Sequence, residues 1–212
     1  MPIRYTVKAG DCISSIAYKH GFPPDTIWQH AGNQNLKQKR QDPNVLKPGD
    51  VVVIPDKEIK EVSKPTEQRH RFVLRGVPAM LRLQLLDGKH KPRSNLPYRL
   101  IVDGKLTMGS TDDDGMIVQD TPPNAQKGTL DVEVGSKTEH YELRLGHVNP
   151  HDDLSGVQQR LRNLGYPVSG EAGQLDEQTR NALKLFQGRF KLPVTGEADN
   201  ATLNILKEIH RC

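Results

Sequence analysis

No apolar run in this sequence approaches the roughly 20 residues needed to cross a bilayer, so no membrane span is expected. The first residues, Met1-Pro2-Ile3-Arg4-Tyr5-Thr6-Val7, contain neither an apolar h-region nor a small-residue cleavage site. That reading gives no secretory signal and predicts synthesis and folding in the cytoplasm. Cysteine is scarce: Cys12 and Cys212 stand at opposite ends of the chain. A bridge between them requires the two ends to meet, and two reduced thiols are the expectation. Aromatic residues make up only 5% of the chain, and the net charge is a modest +4. Lys37, Lys39 and Arg40 form the one tight basic cluster, with acidic residues interleaved elsewhere. A nucleic-acid binder gathers Lys and Arg on one face and interleaves aromatics for stacking, so that class is excluded. The mild basic bias suits an anionic, carboxylate-bearing polymer.

What is present favours several small units. The chain of 212 residues is 34% hydrophobic and carries 18 Gly and 15 Pro, a composition of loop-rich domains rather than one large core. In residues 1–56, Tyr5-Thr6-Val7 reads as a strand, and Asp11 opens a helix with Ile13, Ile16, Ala17 and His20 on one face. Gly21 is its stop. Pro23-Pro24-Asp25 opens a second helix with Ile27, Trp28 and Ala31, a polar stretch runs from Asn33 to Asp42, and Val51-Val52-Val53-Ile54 is the closing strand. The predicted order is βααβ. Residues 57–68 are charged and aperiodic and read as a linker.

Residues 69–147 alternate in a β manner. The predicted strands are Phe72-Val73-Leu74, Met80 to Leu86, Tyr98 to Val102, Lys105 to Gly109, Met116 to Gln119, Leu130 to Val134 and Tyr141 to Leu145. Asp87-Gly88, Asp103-Gly104 and Asp114-Gly115 are dipeptides favoured at hairpin turns, and the spacing predicts a small antiparallel sandwich. Residues 148–212 return to helical spacing, first at Leu154, Val157, Leu161 and Leu164, then at Ala182, Leu183 and Phe186, then at Leu203, Leu206 and Ile209. Pro167-Val168-Ser169-Gly170-Glu171-Ala172 recurs as Pro193-Val194-Thr195-Gly196-Glu197-Ala198. An Asp-x-x-Thr helix start follows each copy, at Asp176–Thr179 and Asp199–Thr202, where the Asp can cap free N–H groups. The predicted fold class is therefore multidomain, with an α+β unit, a central antiparallel β-sandwich and a three-helix bundle.

Three resemblances follow from these motifs. Tyr5-Thr6-Val7-Lys8-Ala9-Gly10-Asp11, Ile13-Ser14-Ser15-Ile16-Ala17, Pro43-Asn44-Val45-Leu46-Lys47-Pro48-Gly49-Asp50 and Val53-Ile54-Pro55 resemble the LysM module. The resemblance implies a shallow groove for N-acetylglucosamine units at Gly10, Asp11, Cys12, Ile13, Asn44, Val45 and Leu46. A neutral acetamido sugar needs backbone partners and apolar contacts, which Gly10 permits by close approach and Ile13, Val45 and Leu46 offer as walls. Cys12 stands where that family usually has a hydroxyl, removing a capping oxygen, and Lys37-Gln38-Lys39-Arg40 lengthens the second loop. Leu85-Leu86-Asp87-Gly88, Leu96-Pro97-Tyr98-Arg99-Leu100 and Thr111-Asp112-Asp113-Asp114-Gly115 resemble transthyretin-like or carboxypeptidase-regulatory-like β domains, which serve as spacers or docking surfaces. Val157-Gln158-Gln159-Arg160-Leu161, Leu164-Gly165-Tyr166, Gly173-Gln174-Leu175-Asp176, Thr179, Ala182-Leu183, Phe186-Gln187 and Leu192-Pro193-Val194-Thr195-Gly196 resemble the three-helix peptidoglycan-binding domain. That likeness implies a binding surface at Tyr166, Gln174, Leu175, Thr179 and Gln187. The order of modules is similar to accessory proteins of contractile injection machines, including type VI secretion systems and phage-like tails, which implies a spike or effector protein as a further partner and action at the cell wall or periplasm.

No catalytic constellation is expected. Cys12 lies inside the sugar module and Cys212 ends the chain, so neither is framed by a His and an orienting group. His147, His151, Asp152 and Asp153 cluster at a domain junction without the spacing of a zinc helix, and read as solvated residues. Asp112, Asp113 and Asp114 lack a calcium loop and read as a tight turn. No metal, no cofactor and no catalysis are predicted.

Overall fold

The computed structural model describes residues 1–57, 63–70, 79–89 and 91–210. Among them no helix is long and apolar enough to cross a membrane. Cys212 and the expected strand Phe72–Leu74 lie outside the described residues, and residues 63–68 of the expected linker carry no strand or helix.

In the N-terminal unit β1 (Ile3–Thr6) pairs antiparallel with β2 (Val51–Ile54), Ile3 opposite Ile54. Between them run α1 (Ile13–His20), α2 (Pro24–Trp28), a 3₁₀ turn at Ala31–Asn33 and α3 (Gln34–Arg40). Two helices were expected, so α3 is an addition: the polar stretch that includes the Lys37–Arg40 insertion is helical. Helix α1 begins two residues later than Asp11, because Cys12 is its cap. The sulfur takes up the role of the missing hydroxyl, accepting the Ser15 N–H at 3.4 Å while Ser15 Oγ accepts the Cys12 N–H at 2.9 Å. Gly21, at φ 73°, ends the helix in the left-handed conformation that favours glycine. Val7, Ile13, Ile16, Ala17, Ile27, Trp28, Leu36, Leu46, Val52 and Ile54 form one core.

Two polar side chains are built into this unit. Asn33 is fully buried: its Nδ2 donates to the Ile27 and Val53 carbonyls at 2.8 and 2.7 Å, and its Oδ1 accepts the Val53 N–H at 2.7 Å. One amide thus ties the helical segment to β2. Arg40 closes the other side, donating from Nε and Nη2 to the two Asp50 oxygens at 2.7 and 2.9 Å. Asp50 also accepts the Lys47 N–H at 2.9 Å. Burial works against the Asp50 charge, but Arg40 and the Lys47 N–H together hold its carboxyl below the usual range.

The central unit consists of two antiparallel sheets, β3 (Ala79–Gln84) with β6 (Met116–Thr121), and β5 (Lys105–Ser110), β4 (Pro97–Val102), β7 (Lys127–Val134) and β8 (Lys137–Arg144) in that spatial order. Tyr98, Leu100, Val102, Leu130 and Val132 of the larger sheet share a core with Ile117, Leu81 and Leu83 of the smaller one. Gln119 Nε2 adds a hydrogen bond across to Tyr98 Oη at 2.8 Å. Of the three expected hairpin dipeptides, Asp103-Gly104 joins two paired strands, with φ 46° and 81°, and Asp87-Gly88 is closed by the antiparallel bridge of Leu86 with Pro92. Asp114-Gly115 connects strands of different sheets. Asp112 Oδ1 there accepts the Asp114 and Met116 N–H groups at 3.0 and 2.8 Å, a side-chain-braced turn.

The C-terminal unit is three helices, α4 (Leu154–Asn163), α5 (Glu177–Arg189) and α6 (Asn200–His210). Val157, Leu161, Val168, Ala182, Leu183, Phe186 and Leu206 form its core. Asp153 accepts the Ser155 N–H at 3.0 Å, and Asp176 and Asp199 accept the Thr179 and Thr202 N–H groups at 2.8 Å each. The side chain and N–H of Thr179, and the N–H and side chain of Thr202, hold the Asp176 and Asp199 carboxyls below the usual range.

Candidate functional site

The two expected loops of the N-terminal groove do meet: the Ile13 N–H donates to the Pro43 carbonyl at 2.9 Å. Gly10 sits between strand and helix at φ 87°. The side chains expected around it are largely committed elsewhere. Asp11 Oδ2 accepts Tyr5 Oη–H at 2.8 Å and the Lys8 N–H at 2.9 Å, and burial together with this bond pushes the Tyr5 pKa up to about 12. Cys12 caps α1, while Ile13 and Leu46 belong to the core rather than to a groove wall. Asn44 is exposed, with its N–H on Asp42 Oδ1 at 2.8 Å.

Gly10 and Val45 are covered by another part of the chain. A Cβ built on Gly10 would lie 3.0 Å from His147 Nε2 and 3.3 Å from Gln126 Nε2, and one built on Gly146 would lie 2.8 Å from the Gly10 carbonyl oxygen. Val45 is 8% exposed although it is outside the N-terminal core cluster. It lines a crevice of about 20 Å³ together with Arg40, Asp42, Pro150, His151, Arg160 and Lys207. Lys47 pairs with Asp153, the residue that caps α4. His147, His151 and Asp153 are thus placed at the contact between the end units, and among the described residues no group of three or more His, Cys, Asp or Glu is gathered to hold a metal ion.

The C-terminal unit presents its loops differently. Gln158 of α4 is 1% exposed, and its Nε2 donates to the carbonyls of Glu171 and Gln174 at 3.1 and 2.9 Å and to Thr179 Oγ1 at 3.0 Å. Its Oε1 accepts the Gly173 N–H at 2.7 Å. Gln187 of α5 repeats the device on the next loop, donating to Thr195 Oγ1, the Glu197 carbonyl and Thr202 Oγ1 at 2.9, 2.9 and 3.0 Å and accepting the Gly196 N–H at 2.8 Å. Each glutamine satisfies buried backbone groups that would otherwise cost free energy. Thr179 and Gln187, expected on the binding surface, are both fully buried in these networks, so they shape loops and do not reach a polymer.

The latches also correct the repeat register. The sequence repeat aligns Gly170 with Gly196, but the glycine that donates to the first glutamine is Gly173, at φ 83° against 75° for Gly196. Gln174 then corresponds to Glu197 and Thr179 to Thr202. The latch-to-threonine separation is 21 positions in the first copy and 15 in the second, so a longer first loop hides the true alignment.

Of the remaining expected residues, Gln174 is exposed and its Nε2 donates to Glu171 Oε2 at 2.7 Å. Leu175 and Tyr166 are half-buried, and the Tyr166 ring stands edge-on to Phe186 at 5.7 Å. Burial raises the Tyr166 pKa. An exposed apolar trough that the sequence reading missed lies on the opposite repeat, where Leu185 and Val194 are 57% and 58% exposed beside Asn181, Lys184 and Gly188. Leu185 falls off the Ala182–Leu183–Phe186 stripe, which is the signal that could have marked it.

Comparison with known families identifies the two end units. Residues 5–55 match the LysM domain, and residues 150–206 match the family described as "Putative peptidoglycan binding domain". No curated protein and no solved structure matches the chain. The two end units are a LysM domain and a domain of the peptidoglycan-binding family, and these matches support peptidoglycan binding.

Proposed function

We propose that this chain is a non-catalytic adaptor that anchors to peptidoglycan at the cell wall mainly through the loop Glu171–Leu175 of its C-terminal domain. The observation that carries the reading is the contrast in accessibility. Gln158 fixes that loop from below while Gln174 and Glu171 remain exposed. The loop is organised before any ligand arrives, which lowers the ordering cost of binding. The N-terminal groove is a second, glycan-directed site, built from the backbone at Gly10 and from Asn44 and Val45. Two weak sites in one chain raise the effective concentration of each for a shared polymer.

Incubation with purified sacculi tests this reading. Protein in the pellet with no soluble muropeptides in the supernatant is the expected result. Release of muropeptides would instead establish a peptidoglycan hydrolase.

A second reading takes a protein as main ligand, the chain serving a type VI secretion or phage-tail-like spike, or its effector. The transthyretin-like reading of the central domain as a docking surface belongs here. The observation in its favour is β5, an edge strand with Leu106 and Met108 exposed at 47% and 69%. Exposed apolar edges of this kind accept partner strands. Co-purification of a spike or effector component with the native chain, lost on Met108→Lys, is the outcome it predicts.

A further inference from the structure

We propose that the N-terminal glycan groove is closed in the resting chain by the chain's own segment 146–153, so that sugar enters only when the two end domains separate. The proposal rests on the reading of that groove as a glycan site. Three independent contacts converge on the groove. Gly10, where a ligand would approach the backbone, is approached instead by His147, Gln126 and Gly146. Val45, an apolar wall of the groove, faces Pro150 and His151 across a crevice of about 20 Å³, which is room for a water and not for a hexose ring. Lys47, the residue after the second groove loop, pairs with Asp153.

The closure is shallow by construction. The Lys47 and Asp153 side chains retain 45% and 20% exposure, and ion pairs open to solvent are weak and screened by salt. Arg40 adds an attraction toward Asp152 and Asp153 from the same side. Because Asp153 is also the cap of α4, the contact joins the groove loop directly to the first helix of the other wall-binding domain. A polymer that engages the C-terminal loop and cannot be accommodated against the N-terminal unit would favour the separated form, and by linkage sugar in the groove would favour it equally. The first domain to touch the wall thereby exposes the second site.

The test uses the full chain and the double variant Lys47→Glu with His147→Ala, which spares the Asp153 cap. Hydrogen exchange is followed in peptides covering 8–13 and 43–48, and a short N-acetylglucosamine oligomer is titrated into each form. Exchange in both peptides speeds up in the variant. If the open form is about a tenth of the resting population, oligomer affinity rises about tenfold. Raising NaCl to about 1 M, where the screening length is near 3 Å, moves the unmodified chain in the same direction. This arm needs no substitution, so a folding defect cannot imitate it. Equal exchange in the two forms with no effect of salt overturns the closure. Faster exchange without oligomer binding in either form upholds the closure and instead defeats the glycan reading of the groove.

Discussion

The two ends of the molecule solve the same local problem with the same chemistry, yet offer their surfaces oppositely. Each must hold an irregular loop against a small core, and each does so with a buried carboxamide. Asn33 bridges α2 and β2 in the N-terminal domain, while Gln158 and Gln187 latch successive loops in the C-terminal domain. The difference lies in what faces outward. The loop at Gly10 meets His147 and Gly146, whereas the loop at Gln174 meets solvent. In the proposed reading, similar internal order supports one site that is covered and one that is ready, and family membership alone does not distinguish the two states.

The sharpest way to separate the ends energetically is Asp50→Ala. It leaves Arg40, whose side chain is only 4% exposed, without its partner. Breaking such a pair costs about 3–5 kcal/mol, so denaturant unfolding should show early loss of the N-terminal domain while the C-terminal transition stays in place. Next in size, Gln158→Leu and Gln187→Leu each strand several buried backbone groups. A loss of about 2–3 kcal/mol is expected for each, read by the C-terminal unfolding midpoint. Equal losses support equivalent latches, and an effect confined to Gln187 would break the equivalence.

Acid sharpens the comparison further. Burial, reinforced by nearby Arg160, pushes the His210 pKa down to about 4 from 6.5. The native C-terminal domain thus binds fewer protons than its unfolded chain. Its stability is full above pH 6.5 and declines as pH falls toward 4. Asp50 in the N-terminal domain is shifted below 3.8, so its contribution is lost only at still lower pH. Unfolding followed separately for each domain should show the C-terminal one weakening first on acidification. The smallest expected effect is a gain: Cys12→Ser replaces a 3.4 Å sulfur cap with oxygen and should add about 0.5–1 kcal/mol to the N-terminal domain.

The apolar periodicity made most of the framework legible. Ile13, Ile16 and Ala17 mark α1, Val157 and Leu161 mark α4, and alternation marks the central strands. What remained hidden was polar. Helix α3, Gln34–Arg40, buries Leu36 as its one apolar residue, so it has no stripe to read, and its anchor is an Arg–Asp pair whose partner lies ten positions away. The glutamine latches escaped for a related reason: Gln is ordinarily exposed, so Gln187 reads as surface until its four partners are seen. The covering of Gly10 by His147 depends on how distant segments meet, which no local pattern encodes.

The most direct test of the central claim is a sacculus-binding isotherm for the full chain with one end altered at a time. Gln174→Glu places a negative charge beside Glu171 on the open loop, and Asn44→Ala trims the exposed rim of the covered groove. Most binding should disappear with Gln174→Glu and nearly all should survive Asn44→Ala. Binding that survives Gln174→Glu and collapses with Asn44→Ala would contradict the account, because the covered groove would then be the working site.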